Sequence, residues 1–366
     1  MSKRYGIIGA GLMGQEHIRF LNRIDDVAVT AIADPDEGMR AEASTLAGAK
    51  AFTDHKELLS EAKIDALIIA SPNHTHHDIL TDAIATDLPL MVEKPLCSSV
   101  ADAAHIRSMA ARRNAPIWVA MEYRYMPAIA RLIDEVQSGT VGRLRMLSIR
   151  EHRFPFLDKV GHWNRFARYS GGTLVEKCCH FFDLMRLITG SEPVRIFASG
   201  AQDVNHLDER IDGEKPDIID NAYVVVDFEN GVRAMLDLCM FAEASRDQEE
   251  IAAIGDQGKV ECGIPSSQLI IGKRQPVERM GIALPLQRET VPVDPDLLEI
   301  GHHNGATHFQ HERFLRMILQ GGKPEITVED GLRAVVMGEA AERSIMDGMP
   351  VSVRVPESDV EQRQAS

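Results

Sequence analysis

The chain has 366 residues, 44% hydrophobic and 26% charged, with a formal net charge of −15 at pH 7. That length exceeds one small core and predicts two domains of an ordinary globular protein. The acidic balance argues against nucleic-acid binding, and no apolar run is long enough to span a bilayer. Five cysteines, odd in number and without framework spacing or a secretion signal ahead of them, predict reduced thiols in a cytoplasmic protein.

In chain order, Tyr5 to Ile8 reads as a strand that runs into a helical pattern through Gly9, Gly11 and Gly14. This is G-x-G-x-x-G, with Leu12 and Met13 between its second and third glycines. A second strand, "VAVTAIAD", ends at Asp34, 20 residues after Gly14. Strand, glycines, helix and acid together predict a dinucleotide site. The glycines let backbone approach a pyrophosphate at the positive end of the helix, and the carboxylate takes the ribose hydroxyls. Asp34 repels a 2′-phosphate and no basic residue directly follows it (Arg40 is six residues on), so NAD is expected over NADP.

The stretch "IDALIIASPNHTHHDIL" is a buried strand, a loop and a helix, which places Ser71, Asn73 and His76 in a cofactor loop. The cluster His74, His76 and His77 is read as cofactor contact and capping, and no metal is expected. "LPLMVEKPL" is a strand ending in Glu93-Lys94-Pro95.

Beyond residue 122 the pattern changes. Residues 141–153, 193–203, 218–228 and 231–241 read as strands, with Asn230-Gly231 as a hairpin turn of the primed type. With "EEIAAIGDQGKVEC" they predict an open, largely antiparallel sheet. Residues 302–320 and 329–347 read as helices packed across both domains. The expected division is an NAD-binding domain at 1–122, a substrate and oligomerisation domain at 123–355, and a disordered tail at 356–366. Within "GGTLVEKCCHFFDL", Leu174, Cys178, Phe181, Phe182 and Met185 recur at helical spacing, which puts Glu176, His180 and Asp183 on one polar stripe. Adjacent cysteines cannot bridge each other in ordinary geometry, so Cys178 and Cys179 read as small core residues.

The motifs "GIIGAGLMG", "ASPNHTHH" and "EKP", with the 171–184 stretch, resemble the Gfo/Idh/MocA oxidoreductases, the family of glucose–fructose oxidoreductase and inositol dehydrogenase. The resemblance covers nearly the whole chain and is specific for the family, much less so for a substrate. It implies an α/β protein: a Rossmann doubly wound parallel sheet, then an α+β domain with an open sheet through which a homodimer or homotetramer forms. It also implies NAD as cofactor, Glu93 and Lys94 beside it, and Lys94 and His180 flanking a substrate carbinol. His180 would take the proton, titrating near neutral pH, while Lys94 supplies a positive charge. Glu176 stands where the family pattern has aspartate, and is the third expected catalytic residue.

Residues 143–177 carry eight basic side chains against three acidic ones, a local +5 in an acidic chain. A solvated strand face or subunit contact accounts for part of this. The sharper expectation is a pocket for an anionic sugar, drawing on Arg153, Lys159, Trp163, Arg165 and Lys177. Tyr123 and Arg124 at the domain junction, and Asn304 and His308 at a helix start, are added as substrate contacts. The expected function is hydride transfer at a ring carbinol of a sugar or cyclitol. One alternative is a redox-neutral NAD-dependent glycosidase acting on an anionic glycoside such as a sulfoquinovoside, as in one branch of the family. The other is a non-catalytic NAD sensor, against which Lys94 and His180 count.

Overall fold

The computed structural model describes residues 2–275, 285–301 and 303–357. The first third alternates strand and helix: β1 (Lys3–Ile8), α1 (Leu12–Leu21), β2 (Val27–Ala33), α2 (Glu37–Ala47), β3 (Lys50–Phe52), α3 (His55–Glu61), β4 (Ala66–Ile69), α4 (His76–Ile84), β5 (Leu90–Glu93), α5 (Val100–Ala110) and β6 (Ile117–Ala120). All six strands are parallel, in the order β3-β2-β1-β4-β5-β6. β4, β5 and β6 are buried at every position, as strands covered on both faces must be. The strand order reverses between β1 and β4, and open sheets of this kind take ligands in the crevice outside the strands' carboxyl ends at such a point.

α6 (Pro127–Gln137) leads into β7 (Leu144–His152), the short α7 (Ala167–Ser170) and α8 (Thr173–Glu176), and α9 (Cys179–Thr189). Then come β8 (Pro193–Ala201), β9 (Asn221–Phe228), β10 (Arg233–Cys239), β11 (Glu249–Gly255), β12 (Gly258–Ile264), β13 (Gln268–Lys273) and β14 (Leu286–Thr290). The chain closes with α10 (Pro295–Leu298), α11 (Ala306–Gln320), α12 (Val328–Asp347) and β15 (Val351–Ser352). These strands form one nine-stranded sheet, β14-β13-β12-β11-β7-β10-β9-β8-β15, antiparallel except where β10 runs parallel to β7. Its inner face buries alternate residues such as Ile196, Val224 and Leu236. α12 packs on α5 and β6 of the first sheet and on α8, α9 and β8 of the second, so it ties the two halves together. Among the described residues no helix is long and apolar enough to cross a membrane.

Two local expectations are corrected. The hairpin at Asn230-Gly231 is not a two-residue primed turn. Phe228 pairs with Val232, and of the two turn residues only Gly231 has a positive φ (81°), which makes a three-residue loop with glycine in the left-handed position. The run after Thr173 is two helices, not one: α8 stops at Glu176, and Lys177 and Cys178 lie between it and α9. The disorder expected of the tail lies, from residue 358 onward, outside the described residues.

Candidate active site

The crevice is shaped by backbone that tolerates no side chain. Gly9 has φ 95°, and a Cβ there would sit 2.5 Å from the Ala70 backbone; one on Gly14 would sit 2.0 Å from the Gly9 carbonyl oxygen. At Gly11 a Cβ would meet only Met39 Sδ, at 4.0 Å, so the start of α1 is open to a ligand. Leu12 is 54% exposed at that helix start and Met13 is half-buried beside it. Asp34 follows β2 directly, and its carboxylate accepts from the Ala10 N–H (2.7 Å) and the Asp36 N–H (2.8 Å), which fixes it at the lip of the crevice. An open glycine turn, a helix N-terminus and a pinned carboxylate fit a dinucleotide. Arg40 is six residues on in sequence, yet α2 brings its guanidinium back to donate to the carbonyl oxygens of Asp34 (2.6 Å) and Pro35 (3.2 Å).

The other expected cofactor contacts also have partners within the protein. Ser71 Oγ accepts from the Thr75 hydroxyl at 2.7 Å, and the buried Asn73 donates to the Ser170 carbonyl at 3.1 Å. His76 has its ring nitrogens 2.9 Å from the Pro95 carbonyl and 3.0 Å from that of Ser71, and burial lowers its pKa. It braces the loop after β4 against the loop after β5. Glu93 is buried too: one oxygen pairs with His17 Nε2 at 3.0 Å and the other accepts from the Lys94 N–H at 3.2 Å. His17 continues to His311 at 2.8 Å, which joins α1 to α11.

β5 delivers Lys94 against α8, where its Nζ donates to the Glu176 carbonyl oxygen at 3.0 Å. Burial alone would lower the Lys94 pKa, but Glu176, Cys179, Glu93 and Glu122 hold it above its ordinary value. The Glu176 carboxylate is buried with one oxygen 3.4 Å from Lys159 Nζ and the other without a partner. Burial would raise its pKa; Lys94, Lys159, Lys177 and Arg153 bring it down to about 2. Lys159 Nζ lies 4.6 Å from the centre of the Trp163 ring.

The break after α8 starts a new helix that points His180 into the same space. Its ring stacks on Tyr123, with centroids 4.0 Å apart and planes 7° apart. The expectation that His180 titrates near neutral pH is corrected. Burial, then Lys94, Lys177, His303 and Arg153, hold its pKa well below the ordinary value, so the imidazole is a neutral proton acceptor. Below it runs a buried network: Lys177 donates to the Tyr123 hydroxyl (2.6 Å) and pairs with Glu151 (2.9 Å), and Arg153 pairs with the same carboxylate (3.2 Å). The Tyr123 hydroxyl donates to Glu249 at 3.4 Å.

Four proposed substrate residues have other partners. The Arg124 guanidinium is clasped by Asp183, which takes Asp183 out of the expected stripe as well. Arg165 is spent on Asp158 and Glu209. Asn304 donates weakly to Ser267 (3.4 Å), and His308 faces Glu312 (3.6 Å) with Phe20 and Phe309 around it. Their shared face assumed a helix from residue 302, whereas α11 begins at Ala306 and Asn304 has φ 48°. The residue of that segment that does reach the centre is His303, 3.5 Å from Glu122 and 3.8 Å from Glu16. Glu122 itself, 3.7 Å from His180 Nε2, escaped the sequence reading, although an acid closing the apolar run "IWVAM" was a usable signal.

Comparison with known proteins agrees with this architecture. The family model for the NAD-binding Rossmann fold of the Gfo/Idh/MocA oxidoreductases matches residues 3–121, and that for their C-terminal alpha/beta domain matches residues 133–353. The chain belongs to the Gfo/Idh/MocA oxidoreductase family. Its cofactor is therefore NAD, as the glycine turn and Asp34 indicate. Among relatives, a myo-inositol 2-dehydrogenase of Thermotoga maritima is 27% identical over 96% of this chain and 98% of its own. Inositol 2-dehydrogenase 1 of Saccharopolyspora erythraea is 25% identical over 97% of each. A levoglucosan dehydrogenase solved with NADH and levoglucosan shares the fold, with a TM-score of 0.84, 19% identity, and coverage of 96% of this chain and 100% of that one.

Proposed function

We propose that this family member is an NAD-dependent dehydrogenase that oxidises a ring carbinol of a sugar or cyclitol. The observation that carries the reading is a set of buried polar atoms without partners around Lys94: one oxygen of Glu176, both of Glu122 and Nδ1 of His180. Leaving such groups unsatisfied is costly, and a polyol is a ligand whose hydroxyls donate to carboxylates and accept from a lysine. Bound in the crevice, NAD supplies the hydride acceptor. His180, neutral and unpartnered at Nδ1, takes the hydroxyl proton, and the Lys94 ammonium stabilises the developing alkoxide. Glu176 holds Lys94 charged and opposes the burial that lowers the Lys159 pKa. The names of the inositol dehydrogenase relatives support the substrate class.

Most of the basic segment is balanced internally: Arg153 and Lys177 by Glu151, Arg165 by Asp158 and Glu209, Arg168 by Glu214, Arg150 by Glu250. A substrate with an acidic substituent would therefore present it to Lys159, which is 28% exposed and shares Glu176 with Lys94. The sheet's outer face supports self-association. Phe197, Val225 and Met235 stand in register across β8, β9 and β10, each more than a third exposed, with Tyr223 at 62% beside them. The reading is tested by screening cyclitols, neutral sugars, sugar acids and aryl glycosides with NAD while following NADH absorbance. NADH formed in proportion to oxidised polyol supports it. Aglycone release over many turnovers on trace NAD would replace it with the redox-neutral glycosidase route.

A further inference from the structure

Glu122 is an acid of the centre to which the hydride and proton steps above assign no role. It stands two residues past β6, its side chain is 2% exposed, and neither carboxylate oxygen has a hydrogen-bond partner. It faces two imidazoles, His180 Nε2 at 3.7 Å and His303 Nδ1 at 3.5 Å. His180 is sealed like Glu122, at 2% exposure, whereas the His303 side chain is 23% exposed. The three groups thus make a line from the sealed interior to the surface, each gap within about an ångström of hydrogen-bond distance.

His180 needs such an outlet. Surrounded by Lys94, Lys177, His303 and Arg153, it cannot retain a proton between turnovers. Tyr123 covers one face of its ring, and the Tyr123 hydroxyl is already engaged by Lys177 and Glu249. Among the described residues, Glu122 is the carboxylate that pairs with the imidazole.

We propose that Glu122 and His303 carry the proton that His180 takes from the substrate hydroxyl out to solvent. The inference rests on the dehydrogenase reading. As the carbinol C–H electrons leave as hydride and the C=O bond forms, the O–H proton passes to His180. His180 gives up its Nε2 proton to the Glu122 carboxylate; Glu122 passes a proton to His303, and solvent takes one from there. The balance is carbinol plus NAD⁺ giving carbonyl, NADH and one released proton. Burial pushes the Glu122 carboxyl up to about 7, with His303 and Lys94 pulling it down and Glu93 pushing it further up. At that poise it both accepts and releases protons near neutrality. Cys179, which also feels Glu122, is pushed up to about 12 by burial and stays a thiol.

The test compares wild type with Glu122→Gln, Glu122→Asp and His303→Gln. Oxidation needs an unprotonated Glu122, so the wild-type rate should fall as pH drops below about 7. In Glu122→Gln that acid limb should vanish and kcat at pH 7.5 should drop at least tenfold. Glu122→Asp, which also covers the case of a poorly folding glutamine variant, should keep the limb. In a single turnover followed with a pH indicator, wild type should release its proton in step with NADH, while Glu122→Gln and His303→Gln should release it late. Without cofactor or substrate, the His303 ring signals should titrate at lower pH in Glu122→Gln than in wild type, because a neighbouring carboxylate is gone. An unchanged acid limb, proton release in step with NADH in the variants, or an unmoved His303 titration would each overturn the relay. If wild type reduces NAD with no polyol at all, the dehydrogenase reading fails, and the His303 titration still decides whether the pair exists.

Discussion

Replacing Glu176 by glutamine keeps the shape of a buried side chain and removes its charge. The carboxylate is 4% exposed, and burial alone would raise its pKa. Lys94, Lys159, Lys177 and Arg153 instead bring it from 4.5 to about 2. At about 1.4 kcal/mol per pH unit, that field contributes about 3 kcal/mol of stability at pH 7, in the range expected when one partner of a buried ion cluster is removed. The folded-state pKa is depressed, so the contribution is fully present above about 4.5 and is lost as pH falls toward about 2. Urea unfolding followed by fluorescence of Trp118 and Trp163 should show Glu176→Gln destabilised by about 3 kcal/mol at pH 7, with the gap narrowing at pH 3.5. Glu176→Asp, which restores the residue the family pattern has here, should recover most of the loss. A glutamine variant within about 0.5 kcal/mol of wild type at pH 7 would refute the reasoning, since such small changes belong to unconstrained surface positions.

Lys94→Ala and His180→Ala should each lower kcat by on the order of 100-fold or more while NAD affinity measured by calorimetry stays within about threefold; a kcat within threefold would remove that residue from the mechanism. Wild type should bind NAD(H) more tightly than NADP(H), and Asp34→Ala should narrow the difference; equal affinity in wild type would show that the nearby Arg40 outweighs the carboxylate. Phe197→Glu or Met235→Glu should shift a wild-type dimer or tetramer toward monomer in light scattering, and an unmoved mass would place the interface elsewhere.

The cofactor half was legible because its signals are local. Three glycines, an acid 20 residues on and unbroken apolar strands lie within one strand–helix–strand unit, and their spacing is the geometry. In the second sheet β7 to β12 were readable, with ends displaced by a few residues, while β13, β14 and β15 were not read. What escaped depends on partners far along the chain. Arg124 and Arg165 look like free arginine forks until Asp183 and Glu209 come beside them. Asn73 and His76 sit in the right loop, but Ser170 and Pro95 capture their polar atoms. His303 was missed because a helical period was extended past a helix that begins at Ala306. Lys94, Glu176 and His180 do converge, yet the charge state of His180 is set by burial and by Lys94, Lys177, His303 and Arg153, of which only Lys177 is near it in sequence.

The central claim, hydride transfer from a ring carbinol, is tested most directly with a cyclitol or sugar that the enzyme oxidises, carrying deuterium at the reacting carbon. NADH should form one-to-one with oxidised product, with the deuterium on the nicotinamide ring, and both should be lost in Lys94→Ala. Turnover that leaves the deuterium on the sugar and the nicotinamide unlabelled would contradict it.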